Sequence, residues 1–518
     1  MPIMNPLVPI LFGIAGAGIS WLALHLILRW GAQLRLARGP HDLHHTHKVP
    51  VPRIGGIALA IPFAIGQAVI LLIAPSGDQL REQLIITGAS LAMFALGLID
   101  DFKALGARKK LLGQILISTA VFYAGIGIDR LSNPFSGDAL ILGPWGLPVT
   151  VIWLVAMTNL INLIDGVDGL AGGICLMLMV LLAYVGQGSG SVALVAAGVA
   201  GALIAFLRYN FPPARIYMGD GGAYFLGCLI GLLTIVSSQK GTIIAALVAP
   251  LFVLALPIAD TALAIVRRGL RGLPLFRPDR QHIHHRLLEA GMSHRKLVLG
   301  FYAFTLVFLL MGFAAFSSRG QLIPVLAGLA ALVLVVSAGQ LSFSREWFAI
   351  GRVLGNSLEM RQEIQYALAL TRWLALEGGR GGSLEALWSD LVFVARRLGF
   401  SRLKLKLGSG GRSWELPSKG RLLHTARHEI RGGRDGELEL TVHDAPDPEE
   451  SNPGNSDRGD ALESPLRDRR SFDIMSELVA EGWMKAAARW RVAHQSPLVF
   501  DSESDFQQKP AELETLSP

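Results

Sequence analysis

Long apolar segments fill the first 340 residues of the chain, whereas the remaining residues mix apolar and polar positions. An apolar run of about 18 residues or more predicts a transmembrane helix, because about 20 helical residues cross the hydrocarbon core of a bilayer. The eleven predicted spans are 7–29, 54–74, 84–100, 111–128, 149–165, 170–187, 190–207, 221–238, 242–266, 297–317 and 321–340. We therefore predict an all-α polytopic membrane domain over residues 1–340.

Residues 341–518 lack such runs and show the periodicities of a soluble domain instead. Apolar positions recur at helical spacing in three segments and alternate with polar positions in two. The predicted elements are helices at 352–377, 383–398 and 471–492 and strands at 402–407 and 437–443. A stretch rich in Pro, Asp, Ser and Arg at 444–469 predicts disorder, as does the tail of the chain. We expect a cytosolic α+β extension, for which the sequence suggests no role.

The composition supports a membrane protein. Hydrophobic residues make up 51% of the chain and charged residues 17%, against about 25% charged residues in a typical soluble protein. The net charge of +7 comes from the predicted membrane half. We therefore expect the basic residues to lie in loops that set the orientation of the spans, and not to form a nucleic-acid-binding surface. Cys175 and Cys228 both lie within apolar runs, which predicts neither a disulfide framework nor a thiolate metal site.

The distribution of basic residues predicts the orientation of the spans. Cytoplasmic loops of membrane proteins carry more Lys and Arg than the loops on the other side. One set of predicted loops, together with Arg29, carries 19 basic residues, and the other set carries four. The basic set comprises loops 30–53, 101–110, 208–220 and 267–296. We place these loops and the C-terminal region in the cytoplasm and the N-terminus outside, which requires an odd number of spans.

A first cluster of candidate chemistry is the acidic pair Asp100 and Asp101, near the end of the third predicted span. Membrane proteins avoid carboxylates near the bilayer, so those that they retain are informative. The pair suits proton abstraction or attraction of a cation, and the nearby Lys103, Lys109 and Lys110 make a mixed-charge site suited to phosphates and a metal. An ordinary charged loop that caps a helix is an equally good interpretation of the pair alone.

A second cluster places Asn159, Asn162, Asp165 and Asp168 at helical spacing before a glycine-rich break. Their oxygens could bind Mg²⁺ or form hydrogen bonds with a nucleotide base. The alternatives are a polar helix end with local turns, or a glycine-lined contact between helices. We favour the functional interpretation, because four such side chains within ten otherwise apolar residues are costly to bury unused.

A third cluster is Asp220, set in a glycine-rich turn that opens the eighth predicted span. Backbone N–H groups in such a turn can approach phosphate oxygens, although a simple helix cap explains an isolated Gly-Asp-Gly sequence equally well. By the predicted topology, the three clusters lie at the cytoplasmic ends of different helices. We therefore expect them to converge at one membrane face.

The longest predicted cytoplasmic loop has three histidines and three arginines within residues 277–286. Three histidines could bind zinc, but the arginines disfavour a cation and favour a polyanion such as a diphosphate. A basic loop that rests on anionic lipid is the simpler alternative. The candidate residues in this loop are Arg280, His282, His284 and His285.

In this order, the motifs resemble the polyprenyl-phosphate N-acetylhexosamine-1-phosphate transferase family (glycosyltransferase family 4), over about residues 40–290. The resemblance implies transfer of a sugar 1-phosphate from a UDP-N-acetylhexosamine to undecaprenyl phosphate with Mg²⁺ or Mn²⁺, which yields UMP and starts a cell-envelope polysaccharide such as the O-antigen of lipopolysaccharide. The His-Ile-His-His sequence at 282–285 is most like the bacterial N-acetylglucosamine-1-phosphate branch. A muramoyl-pentapeptide phosphotransferase of the same family and a membrane transporter are the alternatives.

The resemblance also implies roles and a location. The expected residues are Asp100, Asp101 and Asp165 for catalysis, Lys110, Asn159, Asp168, Arg280, His282, His284 and His285 for substrate binding, and Asn162 and Asp220 for the metal. We expect a multi-pass protein of the bacterial inner membrane. Its expected partners are the UDP-sugar, undecaprenyl phosphate and the bilayer, with a homodimer left open.

Overall fold

The computed structural model of the protein divides into two compact units, a membrane unit within residues 7–340 and a C-terminal unit within residues 350–505. The described residues are 7–31, 51–73, 77–103, 105–132, 138–239, 243–255, 257–260, 262, 265, 287, 291–340, 350–380, 382–407, 410–416, 421–430, 436–443, 466, 468–494, 498, 500 and 504–505.

Helices dominate the described part of the membrane unit. They are α1 (Leu7–Gly31), α2 (Ile57–Ile73), α3 (Asp78–Phe102), α4 (Ala107–Ala124), α5 (Gly146–Ile164), α6 (Leu170–Val185), α7 (Ser191–Asn210), α8 (Gly219–Gln239), α9 (Ile243–Val253), α10 (His294–Ser317) and α11 (Ile323–Gln340). Among the described residues, six helices are long and apolar enough to cross a membrane, namely α1, α3, α5, α7, α8 and α10. Shorter apolar helices include α2 and α6. The structure therefore supports an integral membrane protein, whereas the eleven spans stay a prediction.

One loop of the membrane unit contains two short strands that the sequence analysis did not predict. Strands β1 (Arg130–Ser132) and β2 (Ala139–Ile141) form a short antiparallel hairpin between α4 and α5. The chain leaves α4 through Gly125, whose φ of 114° lies in the left-handed region that glycine tolerates. Pairing of the two strands satisfies backbone groups that have left a helix.

Helix α9, which lies within the ninth predicted span, 242–266, ends at Val253, and the full extent of that span stays a prediction. Residues 257–260 are helical again. Pro257 lacks the amide hydrogen that would bond to the carbonyl of Val253, so the hydrogen-bond ladder cannot pass through it intact.

Helix α8 is buried along nearly its whole length, and glycines let its neighbours approach closely. A Cβ atom on Gly97 of α3 would overlap the carbonyl oxygen of Asp220 in the first turn of α8. A Cβ atom on Gly227 of α8 would lie 2.5 Å from the Cα of Thr158 in α5. Small residues at helix contacts in membranes permit this close approach. Both α3 and α5 therefore bring the polar residues at their ends to the start of α8.

The C-terminal unit combines helices with one five-stranded sheet. Its elements are α12 (Ile350–Glu377), α13 (Leu384–Arg397), β3 (Arg402–Leu407), β4 (Gly410–Glu415), β5 (Leu422–Glu429), β6 (Glu437–His443), α14 (Arg469–His494) and β7 (Ser504–Asp505). The strand order is β5-β6-β3-β4-β7, with β4 and β7 parallel and the other pairs antiparallel. Every second residue of β3, from Leu403 to Leu407, enters a core that includes Trp483 of α14.

Both strands predicted in this unit are present, and the sequence analysis missed β4, β5 and β7. Strand β4 begins with two glycines and lacks the alternation expected of a strand, and β5 is mostly polar and lies at the edge of the sheet. The segment predicted to be disordered, 444–469, lies mostly outside the described residues, as does the tail after residue 505. The cytosolic location of the unit stays a prediction.

The orientation can be tested by cysteine labelling. Asp138 and Ser293 are exposed residues that the charge distribution places on opposite sides of the membrane. With the buried Cys175 and Cys228 replaced by alanine, an impermeant thiol reagent applied to intact cells should label Asp138→Cys and spare Ser293→Cys. Both should react after permeabilisation. Labelling of position 293 in intact cells would invert the orientation.

Candidate active site

The carboxylate of Asp101 caps the N-terminus of α8. Its Oδ1 accepts a hydrogen bond from the backbone N–H of Asp220 and its Oδ2 accepts one from the N–H of Gly221, each at 2.9 Å. The first N–H groups of a helix have no partner within the helix and carry partial positive charge, so a carboxylate there is favourable. Asp101 therefore fixes the start of α8 relative to the end of α3, and its predicted catalytic role stays a prediction.

Beside this cap, Lys110 connects the other two carboxylates. Its ammonium forms an ion pair with Asp100 and lies 3.0 Å from Oδ2 of Asp220. The side chain of Asp100 is 9% exposed and that of Asp220 is 29% exposed. The N–H of Leu105 donates to Oδ1 of Asp100 at 2.6 Å, so Asp100 also orders the turn between α3 and α4. The more open carboxylate, Asp220, is the better placed of the two to meet a ligand.

The second cluster from the sequence consists of Asn159, Asn162, Asp165 and Asp168, and two of these side chains form hydrogen bonds with neighbouring segments. The side-chain amide of Asn159 donates to Oε1 of Gln114 at 2.6 Å, so Asn159 joins α5 to α4. Asp168 accepts the backbone N–H of Ala214 at 2.9 Å. Asn162 lies half-buried in the last turn of α5, and Asp165 is the first residue after that helix.

Asp165 lies within the electric field of the other carboxylates. Burial raises its pKa well above the usual range, and the negative charges of Asp220, Asp101 and Asp168 raise it further, while Arg53 acts in the opposite direction. Although part of its surface is open, protein surrounds the group closely enough for burial to be the largest cause. A carboxyl group whose pKa is raised keeps its proton at a pH where an ordinary aspartate is ionised, so it can serve in proton exchange.

We expect Asp165→Asn to stabilise the folded protein above about pH 4, the unfolded pKa of an aspartate, in the absence of divalent cations. Because the pKa of Asp165 is raised on folding, the folded state binds more protons than the unfolded state, so stability falls as pH rises above the unfolded pKa of about 4 and stops falling above the folded pKa. Asparagine has no charge to penalise. The gain in melting temperature, about 2 °C or more, should therefore grow as pH rises above about 4.

The control for this variant is Asp129→Asn, because the side chain of Asp129 is 61% exposed. It should show no pH-dependent gain in a thermal unfolding series. A melting-temperature difference for Asp165→Asn that is independent of pH would contradict the electrostatic explanation.

The sequence analysis missed Arg53, which precedes α2. Residues around it pair with the chain before Asp220: the N–H of Gly55 donates to the carbonyl of Tyr217, and the N–H of Tyr217 donates to the carbonyl of Pro52, both at 2.9 Å. The positive charge of Arg53 acts on Asp101 and Asp165. The available signal was the glycine pair that follows Ile54, because two glycines after a basic residue permit close backbone contact.

Tyr217 adds a neutral hydrogen-bond donor to this region. Burial and the negative charge of Asp168 raise the pKa of Tyr217 to about 12. The phenol therefore stays protonated at neutral pH. Beside it, Gly219 has a φ of 75°, and a Cβ atom there would overlap the carbonyl of Arg53, so this turn requires glycine.

Arg280, His282, His284 and His285 lie outside the described residues, and their roles stay predictions. The five clustered carboxylates and Lys110, in contrast, lie in one region around the start of α8.

The chemistry of this region fits a partly exposed magnesium ion better than an enclosed metal. Within the described residues, no three His, Cys, Asp or Glu side chains are close enough to hold a metal ion by themselves. Mg²⁺ commonly uses one or two carboxylates and completes its shell with substrate phosphates and water. The half-open carboxylate of Asp220 and the amide oxygen of Asn162 are of the right chemical type.

Comparison with known proteins identifies the family of the chain. Residues 83–238 match the sequence model of glycosyl transferase family 4. Over 265 residues, the chain is 37% identical to a probable undecaprenyl-phosphate N-acetylglucosaminyl 1-phosphate transferase of Bacillus subtilis (strain 168), which covers 51% of this chain and 73% of that protein. The chain belongs to glycosyl transferase family 4. This finding confirms the resemblance drawn from the motifs.

Two further relatives of this family 4 transferase have related names. It is 30% identical to a decaprenyl-phosphate N-acetylglucosaminephosphotransferase of Mycobacterium leprae (strain TN), over 60% of this chain and 83% of that protein. It is 31% identical to a phospho-N-acetylmuramoyl-pentapeptide-transferase of Desulforamulus reducens, over 57% of this chain and 93% of that protein. The region that matches the family extends from α3 to α8 and so contains all five carboxylates.

Proposed function

We propose that this protein transfers an N-acetylhexosamine 1-phosphate from a UDP-sugar to undecaprenyl phosphate, with UMP as the second product. The observation that carries the proposal is the group formed by Asp100, Lys110 and Asp220 at the start of α8, beside Asp165. Membership of the family supports the coarser class, transfer of a sugar 1-phosphate to a polyprenyl phosphate, since the relatives are named for that activity.

In this reaction an oxygen of the acceptor phosphate attacks the β-phosphorus of the UDP-sugar, and the bond from that phosphorus to the oxygen of UMP breaks. Two polyanions must approach in line, so positive charge is required between them. Lys110, which pairs with Asp100 and Asp220, and Arg53, whose charge acts on Asp101 and Asp165, can supply it. Asp165 can exchange a proton with the acceptor phosphate as it enters.

Asp220 and Asn162 are the residues that we assign to the metal. A bound Mg²⁺ would offset the charge of the diphosphate and stabilise the leaving UMP. Asp100 then acts through Lys110, since the ion pair between them orients the ammonium toward Asp220. The hydrocarbon chain of the acceptor stays in the bilayer while its phosphate reaches the helix ends.

N-Acetylglucosamine is the sugar that we favour, because the Bacillus subtilis relative is more similar in sequence than the muramoyl-pentapeptide transferase. We further propose that the reaction occurs at the cytoplasmic face of a bacterial inner membrane. There it would start a cell-envelope polysaccharide such as the O-antigen of lipopolysaccharide.

A panel of donors tests the proposal. Purified full-length protein in lipid nanodiscs receives undecaprenyl phosphate, Mg²⁺ and one of UDP-N-acetylglucosamine, UDP-N-acetylgalactosamine or UDP-N-acetylmuramoyl-pentapeptide. We expect UMP release with UDP-N-acetylglucosamine that requires both the acceptor and the metal. Release with the pentapeptide donor alone would favour the muramoyl-pentapeptide alternative, and no release with any donor would contradict a transferase.

A further inference from the structure

Both backbone polar groups of Gly169, beside the proposed site, form hydrogen bonds with side chains from other helices. The N–H of Gly169 donates to Oδ1 of Asn210 at 3.0 Å, and the carbonyl of Gly169 accepts the hydroxyl of Tyr302 at 2.5 Å. Gly169 directly follows Asp168, and its φ of 77° is a left-handed conformation that begins α6. The two hydrogen bonds therefore hold Gly169 at the point where the turn that carries Asp165 and Asp168 ends.

The same network holds the loop that leads to Asp220. The side-chain amide of Asn210 donates to the carbonyl of Ile216 at 2.8 Å. Nε of Arg295 donates to the carbonyl of Pro212 at 2.9 Å. Residues 165–169, which we call the donor turn, and residues 211–218, which we call the metal loop, are thus joined through Asn210. From α10, Tyr302 contacts the donor turn and Arg295 contacts the metal loop.

The sequence of α6 accommodates this arrangement. A Cβ atom on Gly173 would overlap the ring and the hydroxyl of Tyr302. The glycine therefore leaves room for the phenol to reach Gly169, one turn earlier in the helix. Asn210 is 2% exposed, and both ends of its amide have partners, as a buried polar side chain requires.

We propose that Tyr302 and Arg295 are positioning residues for the transfer reaction. They act through the peptides of Gly169 and Pro212 to hold the donor turn and the metal loop at a fixed separation, which sets the distance between Asp168 and Asp220. The proposal rests on the proposed function. Both residues lie on α10, outside the region 83–238 that matches the family.

Removal of a hydroxyl that joins the same two helices without contacting the donor turn should leave substrate binding unchanged. Tyr184 provides this control. The hydroxyl of Tyr184 lies 3.3 Å from Oγ of Ser317. This contact also joins α6 to α10, at the other ends of the two helices. Tyr302→Phe and Tyr184→Phe therefore each remove one hydroxyl from the same helix pair, but only the first touches the donor turn.

The experiment compares the two variants in the full-length protein. Loss of one hydrogen bond to a site peptide should raise KM for the UDP-sugar by about tenfold in Tyr302→Phe, with a smaller change in kcat. Amide hydrogen exchange in residues 165–169 should accelerate in the same variant. Tyr184→Phe should match the wild type in both measurements, and the two variants should have similar melting temperatures.

Arg295 provides a second, independent arm. Arg295→Gln should raise KM in the same direction, and Arg295→Lys, which retains a donor, should recover part of the loss. Unchanged KM and unchanged exchange in Tyr302→Phe would overturn the inference, as would equal losses in both tyrosine variants. Absence of UMP release from the wild type, with exchange accelerated only in Tyr302→Phe, would support the positioning network and overturn the proposed function.

Discussion

Asp220→Asn is expected to abolish UMP release while the protein still inserts and folds. The carboxylate of Asp220 is the more open of the two that meet Lys110, and we assign it to the metal. An amide keeps the shape of the side chain but loses the negative charge that holds Mg²⁺. The loss in kcat should be about 1,000-fold or more, which corresponds to roughly 4 kcal/mol.

Asp78→Asn is the matched control, because Asp78 is the acidic residue in the first turn of α3. It makes the same chemical change at the start of another helix, away from the site, and should leave turnover unchanged. Mg²⁺ should also raise the melting temperature of the wild type more than that of Asp220→Asn. Near-normal, Mg²⁺-dependent turnover by a folded Asp220→Asn protein would refute the metal assignment.

Lys110→Gln should have the second large effect, a loss of about 100- to 1,000-fold in kcat. The ammonium contacts Asp100 and Asp220 at once, so its removal leaves two neighbouring carboxylates uncompensated. It also removes the positive charge that we place between the two phosphate substrates. Glutamine retains hydrogen-bonding capacity and much of the length, so the lost charge is the main change.

Lys109→Gln is the control for this variant. Lys109 is the exposed neighbour of Lys110. The substitution Lys109→Gln therefore changes the net charge by the same amount in the same helix turn. Its kcat should stay within about twofold of the wild type. Equal losses in both variants would indicate a general effect of basic charge on the loop, and the specific role of Lys110 would be wrong.

The sequence alone was sufficient to single out the carboxylates that the structure brings together. Asp100, Asp101, Asp165, Asp168 and Asp220 stand out because carboxylates are rare and costly in a chain of apolar helices. Their positions at helix ends follow from the lengths of apolar runs, which are local properties. The strands predicted at 402–407 and 437–443 are also present in the structure, because the alternation of apolar and polar residues that predicts them is a local property too. The edge strand β5 is mostly polar and lacks this alternation.

Only the tertiary structure distinguished the two members of the acidic pair. Adjacent residues of a helix point about 100° apart, and their sequence does not tell which one faces α8. Gly97 decides this, because its missing side chain lets α3 approach the first turn of α8. Asp101 then meets the backbone amides and Asp100 meets Lys110.

Residues remote in the sequence were likewise assigned by packing. Arg53 reaches the site because the backbone beside Gly55 pairs with the chain before Asp220. Tyr302 reaches Gly169 because Gly173 leaves room for its ring. Neither residue belongs to a cluster of polar residues in the sequence. Their roles depend on contacts between helices that are far apart along the chain, and these contacts form only when the helices pack.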